Sequence, residues 1–429
     1  MNLAVVGAGW AGMACAVEAT RAGHSVTLFE AARQWGGRAR AVPARLPDGS
    51  PVMLDNGQHI LIGAYTETLA LMAGVGIDAD AALQRIPLVL RFPDGGGLAL
   101  PHLPRRLDEA ARRLALPLDV LAGVLGARGW SWRDKLSLLM TSTRWQRQGF
   151  VCPENQSVAD LCATLTPRVQ AELTEPLCLS ALNTPVAEAS GKVFLRVLDD
   201  ALFRTPGGSQ LLLPRLDLGA LFPDAADRWL RQHGARTEAG RRVRALARDG
   251  TGWRVDGQPF DRVVLACPPW EAARLAAGEA PGWAAAAAAL AHEAIATVYL
   301  HGDAALPAPL LALRSRPDAP AQFVFDRGRI GGPRGLLAFV VSASSADRET
   351  LQRQVLAQAR EQLGLGRLQA VLTVVERRAT FACTPGLVRP AQAVARGLIA
   401  CGDYVAGAYP ATIEGAVRSA RVAAQALEA

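Results

Sequence analysis

The sequence predicts an α/β protein: a parallel-sheet domain interleaved with a mixed α+β domain. Three stretches carry that reading. They are a strand-turn-helix-strand opening at residues 3–30, a group of short strands in residues 241–267, and a Gly-Asp turn followed by a helix near the end of the chain. Long segments of a different pattern separate them, so the chain is expected to leave the first domain and return to it twice.

The opening, "LAVVGAGWAGMACAVEATRAGHSVTLFE", gives an apolar strand, the turn Gly7-x-Gly9-x-x-Gly12, an alanine-rich helix, Gly23 as its stop, a second strand and then Glu30. Gly7 permits the tight turn, Gly9 lets the backbone approach a pyrophosphate, and Gly12 lets helix and strand pack closely. The helix N-terminus attracts phosphate charge. Glu30 stands where a carboxylate can accept hydrogen bonds from a ribose diol. A bare glycine motif says little, but in this order it predicts a Rossmann-like dinucleotide-binding unit.

Residues 36–40 read "GGRAR". Further on, a helix ends at Gly234, a strand is expected over Arg241 to Ala247, a turn at Asp249-Gly250, a strand "GWRV", a second turn at Asp256-Gly257, and an apolar strand "RVVLAC" closed by two prolines. The chain closes on "LIACGDYVAGAYPATIEGAVRSARVAA". A helix starting near Thr412 directs free N–H groups and a positive dipole end toward whatever lies before it, which favours negative charge there.

The opening, "GGRAR" and the closing segment together resemble the flavoprotein superfamily of amine oxidases and phytoene desaturases. That resemblance implies FAD as cofactor. It implies Gly37 and Arg38 near the pyrophosphate, Val243 at the adenine edge, Gly402 and Asp403 on the ribityl or phosphate side, and Ala411, Thr412 and Ile413 near the flavin ring. Many members carry a polar residue two positions after the acid. Here Ala32 stands there, followed by Arg33. The implied organisation is an FAD-binding domain of residues 1–85, 206–272 and 384–429, and a substrate-binding domain of residues 86–205 and 273–383.

The inserted regions narrow the likeness. "TEPLCLSALNTPVAEAS", "TPGGSQLLLPRLDLGALFPDAADRWL", "RATFACTPGLVRP", "YPATIEGAVRSAR" and "DNGQHILIGAY" are similar to the squalene-associated FAD-dependent desaturases, the hydroxysqualene dehydroxylases of bacterial hopanoid synthesis. The resemblance spans essentially the whole chain. It implies reductive removal of a hydroxyl from a C30 polyisoprenoid alcohol, giving squalene. Within flavoenzymes the alternative is an oxidative desaturase or an amine oxidase. Outside catalysis, the alternative is a flavin-binding carrier of polyprenoid.

Composition sets limits. The chain has 429 residues, 50% hydrophobic and 20% charged, as expected of a globular protein with a large core. Its formal charge is +7, yet lysine occurs only at Lys135 and Lys192 and no dense basic run alternates with aromatics, so nucleic acid is not an expected partner. Seven cysteines without a C-x-x-C pair suggest neither a disulfide framework nor a metal site, and fit a reducing cytoplasm. The run from Leu114, "LALPLDVLAGVLGARGW", is interrupted by Pro117 and Asp119 and is too short to cross a bilayer. Helical apolar spacing around it, with "WRDKLSLLMTSTRWQRQ" following, leaves two readings open. Either these helices roof an internal lipid tunnel, or they lie peripherally on a membrane with Trp130, Trp132 and Trp145 at the interface.

His59 sits in "LDNGQHILIGAY". By the resemblance, Gly57, Gln58, His59 and Ile60 border the flavin and the substrate cavity. No second His or Cys lies at ligand spacing. His59 is then either a flavin-contacting structural histidine or a proton donor to the departing hydroxyl, since an imidazole near its ordinary pKa gives a proton at neutral pH.

Overall fold

A computed structural model describes residues 1–113 and 117–427. Residues 114–116, where the longest apolar run begins, lie outside the described residues. Among those described, no helix is long and apolar enough to cross a membrane.

The core layer is a six-stranded sheet ordered 236–239, 25–30, 2–6, 262–265, 398–400 and 393–395. All neighbours pair in parallel except the last two strands. Asn2–Val6 lies inside the sheet, and Leu3 to Val6 are all buried, as befits a parallel strand covered on both faces. After this strand the chain extends the sheet on one side with Ser25–Glu30, and later on the other with Arg262–Leu265. In open α/β sheets such a switch opens a ligand crevice at the carboxyl ends of the strands.

Helix Trp10–Arg21 covers one face. It buries nearly every side chain up to Ala19 and stacks on the final helix, Ile413–Gln425, whose Ala416, Val417, Ala420, Ala423 and Ala424 are buried in the same cluster. Small side chains let two helix backbones approach closely. At Gly23 the backbone turns to φ +83°, which ends the first helix and enters the second strand.

The strand expected over Arg241 to Ala247 is a correction. Strands occupy Arg236–Ala239 and Leu246–Asp249, and residues 241–245 are irregular. The backbone donors there have other partners. Arg241 N donates to Glu30 O at 2.8 Å, and Arg244 N and Ala245 N donate to Asp256 Oδ1 at 2.9 and 2.8 Å. A side-chain acceptor has replaced the ladder.

The second sheet is antiparallel and five-stranded, ordered 310–312, 323–326, 336–342, 292–301 and 369–381. Along His292–His301 the two-residue period sorts the side chains. Ala296, Val298 and Leu300 pack in a cluster with Leu351, Val355 and Ala359 of helix Arg348–Leu363, so Thr297 and Tyr299 face the other way. That other face meets the segment around Asp55.

Residues 105–204 are mostly helical. Helices Leu118–Leu125 and Trp132–Arg147 are interrupted by Gly126 and restarted by a capping box in which Ser131 and Asp134 satisfy each other's backbone N–H. Of the three tryptophans that the peripheral-membrane reading puts at the interface only Trp132 is exposed, which corrects that reading for Trp130 and Trp145. Trp130 is buried with its Nε1 donating to Glu172 Oε2 at 2.8 Å, and Trp145 is on the buried side of its helix.

Candidate functional site

At the carboxyl end of the first strand, Gly7 adopts φ +105° and donates from its N–H to Phe29 O at 2.8 Å. A Cβ on Gly12 would fall 1.8 Å from Gly7 O, so this crossing of helix and turn admits no side chain. Gly36 and Gly37 also have positive φ, and Gly36 N donates to Ala8 O at 2.9 Å. The two glycine turns therefore lie side by side. A Cβ on Gly9 would find only Gly37 Cα, at 3.9 Å, and no side chain caps the helix that starts there. Uncapped N–H groups over a bare backbone cradle fit a pyrophosphate.

Glu30 has a structural task that the sequence did not reveal. Its Oε2 accepts from Ala8 N and its Oε1 from Ala32 N, both at 2.8 Å, which fastens the acid to the turn. An ionised carboxylate has about four acceptor sites, so a ribose diol can still bind. The bond from Arg241 N to Glu30 O draws the irregular loop against Glu30, and buried Val243 lies two residues on.

Arg38 and Asp403, assigned separately to the cofactor, form an ion pair with each other. Arg38 Nη1 also donates to Ala379 O at 2.8 Å, so this side chain joins the Gly-Gly-Arg turn, the Gly402-Asp403 turn and strand Gln369–Phe381. Burial pulls the Arg38 guanidinium down, and Asp403 beside it more than offsets this. Beyond Asp403, Ala411 takes φ +57°, a left-handed conformation unusual for alanine. Thr412 then caps the final helix, its Oγ1 accepting from Gly415 N at 2.9 Å and donating to Tyr409 O at 3.0 Å. Ile413 opens that helix.

Glu414 tempers the dipole argument, because an acid in the first turn offsets the positive helix end. The structure turns it aside. Glu414 is wholly buried, accepts from the N–H groups of Glu67 and Thr68 and from the Thr68 hydroxyl, and pairs with Arg418. A cavity of about 410 Å³ opens beside the turn, lined in part by Asp403, Val405, Tyr409, Gly415 and Arg418.

The segment 55–59 is held by side chains from far along the chain. Tyr299 Oη donates to Asp55 O at 2.9 Å, Thr297 Oγ1 accepts from Gln58 N at 3.3 Å, and Leu218 N donates to Asp55 Oδ1 at 2.7 Å. Buried Arg327 donates to Pro214 O at 3.2 Å and to Gln58 Oε1 at 3.4 Å. Burial pushes the Asp55 carboxyl up to about 6, against the Leu218 N–H and the Arg327 charge. Sequence reading missed Tyr299, Thr297 and Arg327, because they lie some 240 or more residues from the segment they hold. The only signal available was the alternation in "HEAIATVYLH".

His59 Nδ1 lies 2.8 Å from Gly57 O. A carbonyl only accepts, so Nδ1 carries the proton, and in the neutral ring Nε2 is a bare acceptor. Burial pushes the His59 pKa below its ordinary value, the Gly57 carbonyl opposes this, and the charge on Arg38 adds to the lowering. His59 is therefore an acceptor at neutral pH and a donor from Nε2 only in its protonated minority.

Among the described residues, Asn56 Nδ2 and Tyr404 Oη are buried without a hydrogen-bond partner. Such atoms beside the Gly57 and Gly402 turns fit a bound polar group. FAD thus suits the bare glycine cradle, the uncapped helix and these two unmet atoms. No group of three His, Cys, Asp or Glu side chains gathers to hold a metal ion among the described residues.

The model of one protein family, flavin containing amine oxidoreductase, matches residues 10–427. Hydroxysqualene dehydroxylase of Rhodopseudomonas palustris is 29% identical over 98% of this chain and 96% of its own. The enzyme of that name from Sinorhizobium fredii is 28% identical over 99% of this chain and 97% of its own. Among solved structures, an oxidoreductase from Methanosarcina mazei superposes with a TM-score of 0.73 at 15% identity, covering 100% of both chains, which speaks for the fold.

Proposed function

The chain belongs to the flavin containing amine oxidoreductases and is an FAD-dependent oxidoreductase; on that premise we propose that it reduces hydroxysqualene, a C30 polyisoprenoid alcohol, to squalene. The observation that carries this reading is similarity along nearly the whole chain to two hydroxysqualene dehydroxylases, inserted regions included. When bound and reduced, FAD supplies the hydride that replaces the hydroxyl, which leaves with one proton as water.

The chain's own residues do the rest. Gly7, Gly9, Gly12 and Gly37 leave room for the pyrophosphate, Glu30 receives the ribose diol, and Val243 borders the adenine. The Arg38–Asp403 pair, with Gly402, fixes the two turns on either side of the cofactor. Ala411, Thr412 and Ile413 direct the N-terminus of the final helix at the flavin, where it favours negative charge. Gly57 and Gln58, locked onto the antiparallel sheet, hold His59 at the substrate. A neutral His59 orients the hydroxyl by accepting from it at Nε2, and a protonated His59 gives it the proton that lets it leave. The apolar run Ile60 to Ala64 just beyond helps keep water from an allylic cation. In this reading residues 1–85, 206–272 and 384–429 bind FAD, and residues 86–205 and 273–383 bind substrate.

Anaerobic mixing of dithionite-reduced enzyme with hydroxysqualene tests the direction of electron flow. The expected result is substrate-dependent return of the oxidised flavin spectrum, with squalene as product. An absence of such reoxidation overturns the dehydroxylase reading. Bleaching of the oxidised enzyme by squalene or by an amine establishes an oxidative desaturase or an amine oxidase instead.

A further inference from the structure

Of the thirteen large apolar side chains that the described residues expose, eight fall between Leu107 and Val151. They are arranged on helix faces. In helix Leu118–Leu125, Leu118, Leu121 and Leu125 share one side and all face solvent. In helix Trp132–Arg147, Trp132, Leu136 and Met140 follow one another at four-residue intervals and are likewise exposed, Trp132 by 69% and Met140 by 67%. The first helix is inverted relative to a helix packed on a core: its leucines point out, while Asp119 points in and pairs with buried Arg112 at 2.8 Å.

The two helices form one surface. Lys135 Nζ donates to Leu125 O at 2.6 Å across the junction, and its ammonium lies 5.2 Å from the centre of the Trp132 ring. Positive charge predominates along this segment. Among described residues 101–151, every exposed charged side chain is an arginine: Arg106, Arg128, Arg133, Arg144 and Arg147. The acids Asp108, Asp119 and Asp134 of the same segment are buried.

We propose that this face docks on a lipid bilayer carrying anionic headgroups. An apolar stripe of leucine, methionine and tryptophan rimmed by cations matches the acyl boundary below and the phosphate layer above. Helix Arg105–Arg113 and the end of Trp132–Arg147 also wall a cavity of about 720 Å³, lined in part by Arg112, Phe150, Phe203 and Pro206, so docking would bring that cavity near the lipid surface.

The test is flotation of the full-length, FAD-loaded protein with vesicles of phosphatidylcholine alone or mixed with phosphatidylglycerol. Binding to the mixed vesicles is expected, weakened by salt. The double variant Leu121→Glu/Leu136→Glu is expected to lose it by about tenfold or more with FAD content unchanged, while Val388→Glu, at an exposed apolar residue outside this face, keeps it. Should the double variant not fold, quenching of tryptophan fluorescence by brominated lipid, present in the native protein and reduced in Trp132→Phe, carries the same decision. No binding to mixed vesicles, binding that the double variant retains, or quenching that Trp132→Phe leaves intact overturns the proposal. So does a dimer in sedimentation velocity that the double variant splits while neither protein floats, because a second copy then covers the face.

Discussion

In the proposed reading the glycine turn at residues 7–12 and the segment at residues 55–59 border the same site, yet they are held in opposite ways. Backbone sterics hold the first: Gly7, Gly9 and Gly12 are near in sequence, and the contact that fixes them, Gly12 against Gly7 O, spans five residues. Side chains from Tyr299, Thr297 and Arg327, far along the chain, hold the second, and its local bonds, Asn56 with Arg40 and His59 Nδ1 with Gly57 O, do not by themselves set it against the sheet. A site of this kind joins a rigid local cradle to a segment whose geometry exists only once a distant sheet has formed.

The contrast breaks hardest at the turn. Gly12→Ala would place a methyl 1.8 Å from a backbone oxygen that cannot move aside. A cost on the order of 4 kcal/mol and loss of bound FAD are expected, read as flavin absorbance per protein after gel filtration and as Tm. Gly23→Ala is the control, since a Cβ there meets nothing within 4 Å and only the φ of +83° resists it, at about 1–2 kcal/mol. Similar losses in the two variants would show that crowding is not what holds the turn.

At the second segment the expected effect is on rate. His59→Ala should slow turnover by about 10²-fold, and native turnover should rise from about pH 8 toward about pH 6, because lowered His59 is an acid only in its protonated form. Flat native turnover over that range, with only a several-fold loss in the variant, would reduce His59 to a support for the segment.

The smallest effect is on stability at Asp55. Its folded pKa of about 6 lies above the usual 3.8, so the stability it adds is present below the ordinary value and is lost as pH rises through 6. Asp55→Asn retains an acceptor for Leu218 N without the charge. Relative to the native protein it should gain roughly 1–2 kcal/mol between pH 5 and pH 8, measured by urea unfolding. An unchanging difference would mean that burial does not raise the Asp55 pKa, or that the Leu218 N–H and the Arg327 charge offset it in full.

These differences follow how legible each region was. The opening unit and the final helix could be read because glycine positions, helical period and strand period act within a few residues. The loop at 241–245 could not, because its donors go to the Asp256 side chain and to Glu30 O, and propensity does not report a distant acceptor. The Gly-Gly-Arg and Gly-Asp turns were each recognisable, but not the Arg38–Asp403 pair between them, which spans 365 positions.

By itself the sequence determined the cradle, the βαβ order and the identity of each helix face, since these depend on local sterics and on periods of two and 3.6 residues. The tertiary structure alone decided what those faces meet. Period says that Leu118, Leu121 and Leu125 share a side; the ion pair of Asp119 with buried Arg112 decides that this side points outward. Likewise, alternation puts Thr297 and Tyr299 on one face of a strand, and only sheet packing brings that face against Asp55 and Gln58.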